Sequence, residues 1–580
     1  MNQQHKQGYL YGTMVLAAGT MTVKVIGVLF KIPLTNILGG VGMSYFNVAY
    51  DLYYPLYALF VSGVPVAVSK LVSESIACGR ARDARRLLRV SATVFVSIGS
   101  CGTILMFVGA RWFAGLVDNP DACYAIWMLA PALFFGCVMA AFRGYWQGLQ
   151  DMVPTAVSQI VEAVVKLIFG LALAYLITLA GMREFARAGT VFGTACPSSE
   201  QAQLAVLPFA AAGAILGVTL STVCGALYMV ARHKLGKVGI SSGQWRAAPH
   251  SSPAGTLVRR LLAIALPVCV ASVIANLTTF IDLISVMNQL NEAIAENAPL
   301  ITGMYAGAIP EGVGLDKLGS YLYGCYSGLA VPIYNLVPSL TTTIGVSLLP
   351  AVSAAWASRD RVRLTRNVSS ALRIASLIAM PAGFGICALA EPIMHLLYFT
   401  KPMEVAVIAP ALRVMGISAI FVALSLPVNA ILQALGHADL PVKLLFIGGL
   451  LKLAMNYLLV PVPQLNIQAA PIGTLGCYAF VLLVSLWVLI RTTDVEIPVI
   501  GVFGKPLFAG ILCGIAAKLS WEMLASLLPE RLSTLVSIGI GGIVYLFIIL
   551  FTKTLTKVDF LMVPGAEKFA KLLEKLSLLG

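Results

Sequence analysis

Residues 12–38 read GTMVLAAGTMTVKVIGVLFKIPLTNIL, an apolar run long enough to cross a bilayer as a helix. The run carries two cations, Lys24 and Lys31, which are seven residues apart and therefore share one helix face. An ammonium at mid-membrane costs about 2.5–3.5 kcal/mol, so we expect each to face water, an anion or a carboxylate. This stretch predicts a hydrophilic cavity for an anionic substrate, with a structural ion pair inside a helix bundle as the alternative.

The composition of the whole chain is that of an integral membrane protein. Of 580 residues, 59% are hydrophobic and only 11% are charged, whereas soluble domains are nearer a quarter charged. The net charge of +14 does not indicate nucleic-acid binding, because the basic residues cluster in short loops between apolar runs. The eleven cysteines are scattered without paired spacing, which favours neither disulfides nor a zinc site.

Apolar segments of helical length recur along the chain and predict an all-α membrane protein with about fourteen transmembrane helices. The segments are 12–38, 45–73, 90–117, 122–149, 155–181, 205–231, 260–288, 319–352, 367–399, 404–435, 438–463, 468–491, 503–527 and 532–552. No cleavable signal peptide is expected before the first of them, because the polar leader runs directly into a full-length helix.

Basic loops alternate with loops that are poor in cations. Arginines are concentrated at 80–89 and 359–366, further cations lie within 232–260, and the loop 289–318 is acidic instead. By the positive-inside rule, the basic loops and both termini are expected on the cytoplasmic side. The tail GAEKFAKLLEKLSLL separates apolar from lysine-bearing positions, so it is predicted to be an amphipathic helix on the inner leaflet.

Two motifs recur in the same order in the two halves of the chain. RDARRL at 82–87 returns as RDRVRL at 359–364, and QGLQDMVP at 147–154 returns as QALGHADLP at 433–441. Six helices per half is an even number, so the repeats should be parallel, with a substrate site between them near the midplane. The predicted domains are an N-terminal six-helix bundle (1–231), a cytoplasmic linker (232–258), a C-terminal six-helix bundle (259–491), helices 13 and 14 (498–552) and a cytoplasmic tail (553–580).

Motifs of known catalytic chemistry are not found in the sequence. The five histidines are far apart and form no zinc-binding pair, and no Walker-type loop or nucleophile elbow occurs. We therefore expect a transporter, not an enzyme, with no catalytic residues, no metal site and no cofactor.

Charged residues inside the apolar segments are the candidate site, because such residues are functional by default. Glu162 and Lys166 are four residues apart and could pair on one helix face. Asp51 and Asp282 lack a local partner, so each is expected to meet a cation on another helix. Arg143 could instead extend to the cytoplasmic surface. The candidate residues for the cavity are Lys24, Lys31, Asp51, Arg143, Glu162, Lys166, Asp282 and Lys452.

Two longer stretches resemble a known family. The stretches are LGGVGMSYFNVAYDLYYPLYALFVSGVPVAVSKLVSE at 38–74 and RGYWQGLQDMVPTAVSQIVEAVVKL at 143–167. They are similar to the family of stage V sporulation protein B and the polysaccharide transporters, within the superfamily of MATE exporters and MurJ-type lipid II flippases. The resemblance extends over the first twelve helices.

The resemblance implies two six-helix bundles in a V, alternating access, and a cationic cavity that would include Lys24, Lys31, Arg143 and Lys166. Relatives more often have arginine at the first two positions. Lysine cannot offer a bidentate fork to a pyrophosphate, but it is a competent phosphate ligand. Helices 13 and 14 would be the extra pair that such flippases add, and they could form a groove for a lipid tail.

The predicted function is a flippase in the bacterial cytoplasmic membrane for a lipid-linked cell-wall or polysaccharide precursor, such as a polyprenyl-pyrophosphate sugar. Its expected partners are this anionic lipid and the membrane, with no nucleic acid, and we expect a monomer. A proton or sodium gradient or the membrane potential could drive the cycle. The alternatives are a MATE-type multidrug or cation antiporter, which needs an acidic pocket, a membrane glycosyltransferase or ligase that uses the same lipid, and a scaffold with an inactive transporter fold.

Overall fold

A computed structural model describes residues 3–235, 248–437 and 439–556, and nearly all of them are helical. The main helices, numbered along the chain, are α1 Gln3–Phe60, α2 Gly63–Ala77, α3 Ala81–Leu116, α4 Cys123–Gly148, α5 Val153–Val165, α6 Leu171–Ala188, α7 Ser199–Leu235, α8 Ala254–Met304, α9 Leu315–Cys325, α10 Val331–Tyr334, α11 Leu336–Ala357, α12 Arg361–Ala388, α13 Ala390–Leu397, α14 Pro402–Ala434, α15 Asp439–Leu459, α16 Ala470–Thr493, α17 Lys505–Leu524 and α18 Glu530–Phe551.

Short elements interrupt the helices. Three π-helical turns occupy Lys166–Gly170, Tyr326–Ala330 and Ile500–Gly504. One small hairpin pairs Thr190–Val191 with Thr194–Ala195, directly after Gly189 ends α6 in the left-handed conformation that glycine adopts at little cost.

The all-helical membrane class is confirmed. Within the described ranges, 12 helical stretches are long and apolar enough to cross a membrane. The predicted number of fourteen spans remains a prediction. One of the 12 stretches, Ala18–Ala77, contains most of the first predicted helix, 12–38, and all of the second, 45–73. The predicted eighth helix, 319–352, is divided here among α9, a π turn, α10 and α11.

The chain divides into two compact units, of which the first comprises Met1–Met287 and Glu311–Gly324. Its core is formed by apolar side chains of α2, α3, α4 and the start of α8, among them Val68, Leu87, Tyr145 and Leu261. Glycine allows close backbone approach in this unit, since a Cβ on Gly324 would lie 1.8 Å from the carbonyl oxygen of Gly40.

The second unit comprises Asn288–Pro310 and Cys325–Gly580. Its main core is built from α11, α12, α14 and α16, with Val368, Leu372, Val428 and Leu489 at its centre. The last two helices, α17 and α18, pack through a smaller cluster that includes Cys513 and Tyr545. They correspond to predicted helices 13 and 14.

The end of the predicted linker is anchored to the first unit. The Asp83 carboxylate accepts hydrogen bonds from the backbone N–H and the hydroxyl of Ser252 at 2.6 and 2.9 Å, and Arg86 donates to Ser251 at 2.8 Å. The rest of the linker, 236–247, and the tail from 557 onward lie outside the described residues. The two compact units are defined by the packing of their residues. They do not test whether the chain contains two repeated six-helix bundles, which stays a prediction.

Candidate functional site

A break in α1 creates the centre of the site. Gly39 has φ 63° and ψ −171°, outside helical geometry. Lys31 Nζ donates to Asn47 Oδ1 at 2.6 Å although the two residues are sixteen apart, which would be about 24 Å along a straight helix. The second segment of α1 therefore folds back at Gly39 and brings Asn47 to the lysine.

Two ammonium groups approach one pair of aromatic rings. Lys31 Nζ lies 4.8 Å from the ring centre of Phe46, and Lys166 Nζ lies 5.3 Å from that of Phe30. The two rings are themselves 6.1 Å apart. Each cation gains a favourable interaction with the negative face of a ring. The arrangement brings the two like charges within electrostatic range of each other.

Neither ammonium forms an ion pair with a carboxylate of a residue that the structure describes. The hydrogen bond of Lys31 goes to the neutral amide of Asn47, so it leaves the positive charge uncompensated at that contact. Lysine has three donors in its ammonium group. Lys31 and Lys166 together are therefore suited to bind an anion that has several oxygens, such as a phosphate or pyrophosphate.

Asp51 lies one helical turn after Asn47 and adds negative charge beside Lys31. Its Oδ2 accepts a hydrogen bond from the Tyr323 hydroxyl at 2.8 Å, and the side chain is buried. The carboxylate lies within electrostatic range of both Lys31 and Asp282. The cation near Asp51 is thus Lys31, which lies on the same helix on the other side of the Gly39 break. The partner of Asp51 on another helix is Tyr323, not a cation.

Arg143 and Glu162 form a buried ion pair between α4 and α5. The guanidinium contacts Glu162 Oε2 through Nη2 and donates through Nε to Ser158 Oγ at 2.8 Å. The Arg143 side chain is 12% exposed and that of Glu162 is 23% exposed. The guanidinium therefore points into the unit, and Gly225 on α7 leaves space beside Glu162.

The alternative pairing of Glu162 with Lys166 is not what the structure shows. Glu162 gives its ion pair to Arg143, and Lys166 begins the π-helical turn Lys166–Gly170 and lies over Phe30. A π turn inserts an additional residue into the helix and redirects the side chains around it. The two residues remain within electrostatic range of each other.

Five of the predicted residues thus meet in the first unit: Lys31, Asp51, Arg143, Glu162 and Lys166. Lys24 is half-buried two turns before Lys31 on α1, and Asp282 belongs to the same unit. Lys452 is 3% exposed and belongs to the second unit. Among the described residues no group of three or more His, Cys, Asp and Glu side chains is arranged to hold a metal ion.

Sequence reasoning missed Asn47, Tyr323, Ser158 and the Phe30–Phe46 pair. Asn47 could have been found from its spacing, because it lies four residues before Asp51 and therefore on the same helix face. The others depend on contacts between separate helices, for which a single sequence carries no signal.

Two family models match the chain on separate stretches. Residues 9–188 match a family described as polysaccharide biosynthesis protein, and residues 325–563 match a family described as lipid II flippase MurJ. The first match contains Lys24, Lys31, Arg143 and Lys166, and the second contains Lys452.

Similar proteins align over almost the whole chain. The lipid II flippase MurJ of Bacillus subtilis (strain 168) is 24% identical, covering 93% of this chain and 94% of the relative. Stage V sporulation protein B of the same organism is 22% identical, covering 96% and 98%. The alignments therefore cover almost the whole of both relatives.

Solved structures with the same fold come from two groups. A lipid II flippase MurJ in an inward closed conformation superposes with a TM-score of 0.63 at 13% identity, covering 93% of this chain and 98% of that one. An inward-facing multidrug resistance MATE family transporter of the MOP superfamily gives 0.58 at 16% identity, covering 83% and 98%. At these identities the likeness shows the fold alone.

Proposed function

We propose that this chain belongs to the superfamily of MATE exporters, MurJ-type flippases and polysaccharide transporters, and that it is a flippase for a lipid-linked cell-wall or polysaccharide precursor. The two family matches and the two relatives aligned over almost the whole chain support this proposal. The substrate is a polyprenyl lipid with a pyrophosphate-linked sugar. The protein moves this head group across the membrane by alternating access and makes or breaks no covalent bond.

One observation carries this proposal: Lys31 and Lys166 meet at one aromatic pair, without an ion-pairing carboxylate among the described residues. Asp51 and Glu162 lie within electrostatic range of these lysines but form no ion pair with them, so a bound anion would lower the cost of keeping the two charges in an apolar environment. A pocket for organic cations needs the opposite charge balance.

Each residue of the site has a defined role in the proposal. Lys31 and Lys166 bind the pyrophosphate oxygens, and Lys24 adds positive charge two turns earlier on α1. Asn47 orients the Lys31 ammonium, and Asp51 limits the excess positive charge. Arg143 and Glu162 fix α4 against α5 so that Lys166 stays in place.

The polyprenyl tail remains in lipid, where its hydrocarbon chain is soluble, while the charged head passes through the protein. No cofactor takes part in this proposal. The energy comes from a proton or sodium gradient, or from the membrane potential acting on the pyrophosphate, at about 2.3 kcal/mol per charge for 100 mV. Asp282 and Lys452 are the remaining candidate residues for a part in the transport cycle.

The proposed location is the bacterial cytoplasmic membrane, with both termini in the cytoplasm and a monomer as the working unit. Nucleic acid has no role, because the basic residues follow the positive-inside pattern. We expect a cysteine placed at Arg361 to be protected from a membrane-impermeant maleimide in intact cells, and one at Gly303 to be labelled. The reverse pattern would contradict the orientation.

The function is tested by reconstitution. Proteoliposomes containing the purified protein should transfer lipid II, or a shorter polyprenyl-pyrophosphate sugar, between leaflets faster than empty liposomes. They should not accumulate a fluorescent organic cation under a proton or sodium gradient. Uptake of the cation without transfer of either lipid would replace the proposal with a MATE-type antiporter.

A further inference from the structure

A row of aromatic side chains extends from the lysine site along the second segment of α1. Its members are Phe46, Tyr50, Tyr53, Tyr54 and Tyr57, which we call the aromatic stripe. The centres of neighbouring rings are 5.0 Å apart for Phe46 and Tyr50, 5.4 Å for Tyr50 and Tyr54, and 5.4 Å for Tyr53 and Tyr57. Eleven residues of helix separate its ends, so the stripe is about 16 Å long.

The four phenol groups of the stripe make no hydrogen bond to any residue that the structure describes. Three buried tyrosines elsewhere do bond: Tyr305 donates to Asn466, Tyr398 to the Leu329 carbonyl and Tyr545 to the Leu377 carbonyl. The buried hydroxyl of Tyr145, by contrast, has no partner among the described residues. Only Tyr53 of the four is buried, whereas Tyr54 is exposed and Tyr50 and Tyr57 are partly exposed. Their phenol groups are therefore open to a partner from outside the protein.

The surroundings of the stripe are polar on two sides. Lys31 lies over Phe46 at one end, and the Arg143–Glu162 pair lies within electrostatic range of Tyr57 at the other. Glu162 is also in range of Tyr50 and Tyr53. A row of rings exposed to lipid would not be bordered by charges, because charges are excluded from hydrocarbon. The charges beside the stripe therefore favour a hydrated environment for its rings over a lipid one.

One side of the stripe packs closely against α4, and another side is exposed. Gly136 on α4 has no side chain, and a Cβ there would lie 3.2 Å from the Tyr57 ring and 3.9 Å from the Tyr53 hydroxyl oxygen. Tyr54 is 45% exposed, whereas Tyr53 is 9% exposed. The stripe thus offers accessible ring faces in front and a buried ring behind them that holds its position.

We propose that the aromatic stripe binds the sugar of the lipid-linked substrate while Lys31 and Lys166 hold its pyrophosphate. Sugars present apolar C–H faces that stack on aromatic rings, and their hydroxyls can accept and donate hydrogen bonds with phenols. The sugar is attached directly to the pyrophosphate, and the stripe begins at the ring over which Lys31 lies. This inference rests on the proposed function and adds that the protein recognises a saccharide as well as the phosphate.

The test compares the lipid pyrophosphate with and without its sugar. Binding of polyprenyl pyrophosphate, and of the same lipid carrying a disaccharide, is measured on the full-length protein in nanodiscs. For Tyr50→Leu/Tyr54→Leu we expect the dissociation constant of the disaccharide lipid to rise roughly tenfold and that of the bare lipid to stay within about twofold. Tyr50→Phe/Tyr54→Phe, which keeps the rings and removes the hydroxyls, should show a smaller rise.

Tyr175→Leu is the matched control, since Tyr175 on α6 is 57% exposed and lies outside the stripe. It should bind both lipids as the wild type does. An equal loss for both lipids, or none for either, in the Tyr50→Leu/Tyr54→Leu protein would overturn the inference and leave the flippase proposal intact. Wild-type protein that binds neither lipid would overturn both.

Discussion

Replacing both Lys31 and Lys166 by glutamine is expected to abolish lipid transfer in proteoliposomes while leaving the protein folded. Each charge-assisted hydrogen bond to a phosphate oxygen contributes about 1.5–3 kcal/mol, so losing both should weaken head-group binding at least about 100-fold. Stability should hold or rise, because the substitution removes repulsion between two cations that have no carboxylate partner among the described residues. Transfer rates and melting temperatures are measured on the same samples.

Two controls separate charge from packing. Lys31→Arg/Lys166→Arg keeps both charges and adds donors, so it should retain transfer. Lys443→Gln removes an exposed lysine that pairs with Asp439 at 2.6 Å and should have no effect on transfer. If the double glutamine protein transferred lipid at the wild-type rate, the lysine pair would have no part in binding the substrate.

The second large effect is expected at the Arg143–Glu162 pair, and it is one of stability. Arg143→Gln or Glu162→Gln alone leaves one buried charge without its partner, which should cost roughly 2–4 kcal/mol of unfolding free energy. The estimate is at the lower end for buried pairs because Glu162 retains 23% exposure. Unfolding in lipid nanodiscs, followed by thermal denaturation, measures the loss.

The double variant Arg143→Gln/Glu162→Gln decides what the pair does. Removing both charges leaves no stranded ion, so the double variant should recover most of the stability. It should also recover lipid transfer, because the pair positions helices and does not bind the pyrophosphate. Recovery of stability without recovery of transfer would show that Arg143 itself contacts the substrate.

The sequence was sufficient for the membrane class, and it singled out Lys31, whose role in binding stays a prediction. An apolar run of bilayer length predicts a helix from local composition alone, and an ammonium within it must have a compensating environment. Local spacing also placed Lys24 and Lys31 on one face. Both inferences use only neighbours along the chain, which a single sequence contains.

The pairing of charges could not be predicted from spacing. Glu162 and Lys166 have ideal separation for an ion pair, yet Glu162 bonds Arg143 on α4 and Lys166 begins a π turn. Asp51 illustrates the same limit, because its hydroxyl partner Tyr323 is 272 positions away. Contacts between helices that are distant in the sequence determine these partners. The stabilisation from one possible ion pair differs little from that of another, so residue spacing along one helix cannot tell which pair forms.

The spacing of the aromatic stripe is visible in the sequence. Its members recur at three- and four-residue intervals within YFNVAYDLYYPLY, which is the periodicity of one helix face. The pattern alone also fits ordinary packing of rings in a core. The exposure of Tyr54 and the charges beside the stripe favour a binding surface over a core, and both are visible only in the folded structure.

The most direct measurement is a calorimetric titration of the purified full-length protein with inorganic pyrophosphate. It tests whether Lys31 and Lys166 form an anion site, without involving the lipid tail or the sugar. We predict saturable binding to the wild type that weakens steeply with added salt, and at least about 100-fold weaker binding to Lys31→Gln/Lys166→Gln. Equal binding by the two proteins, or none by the wild type, would contradict it.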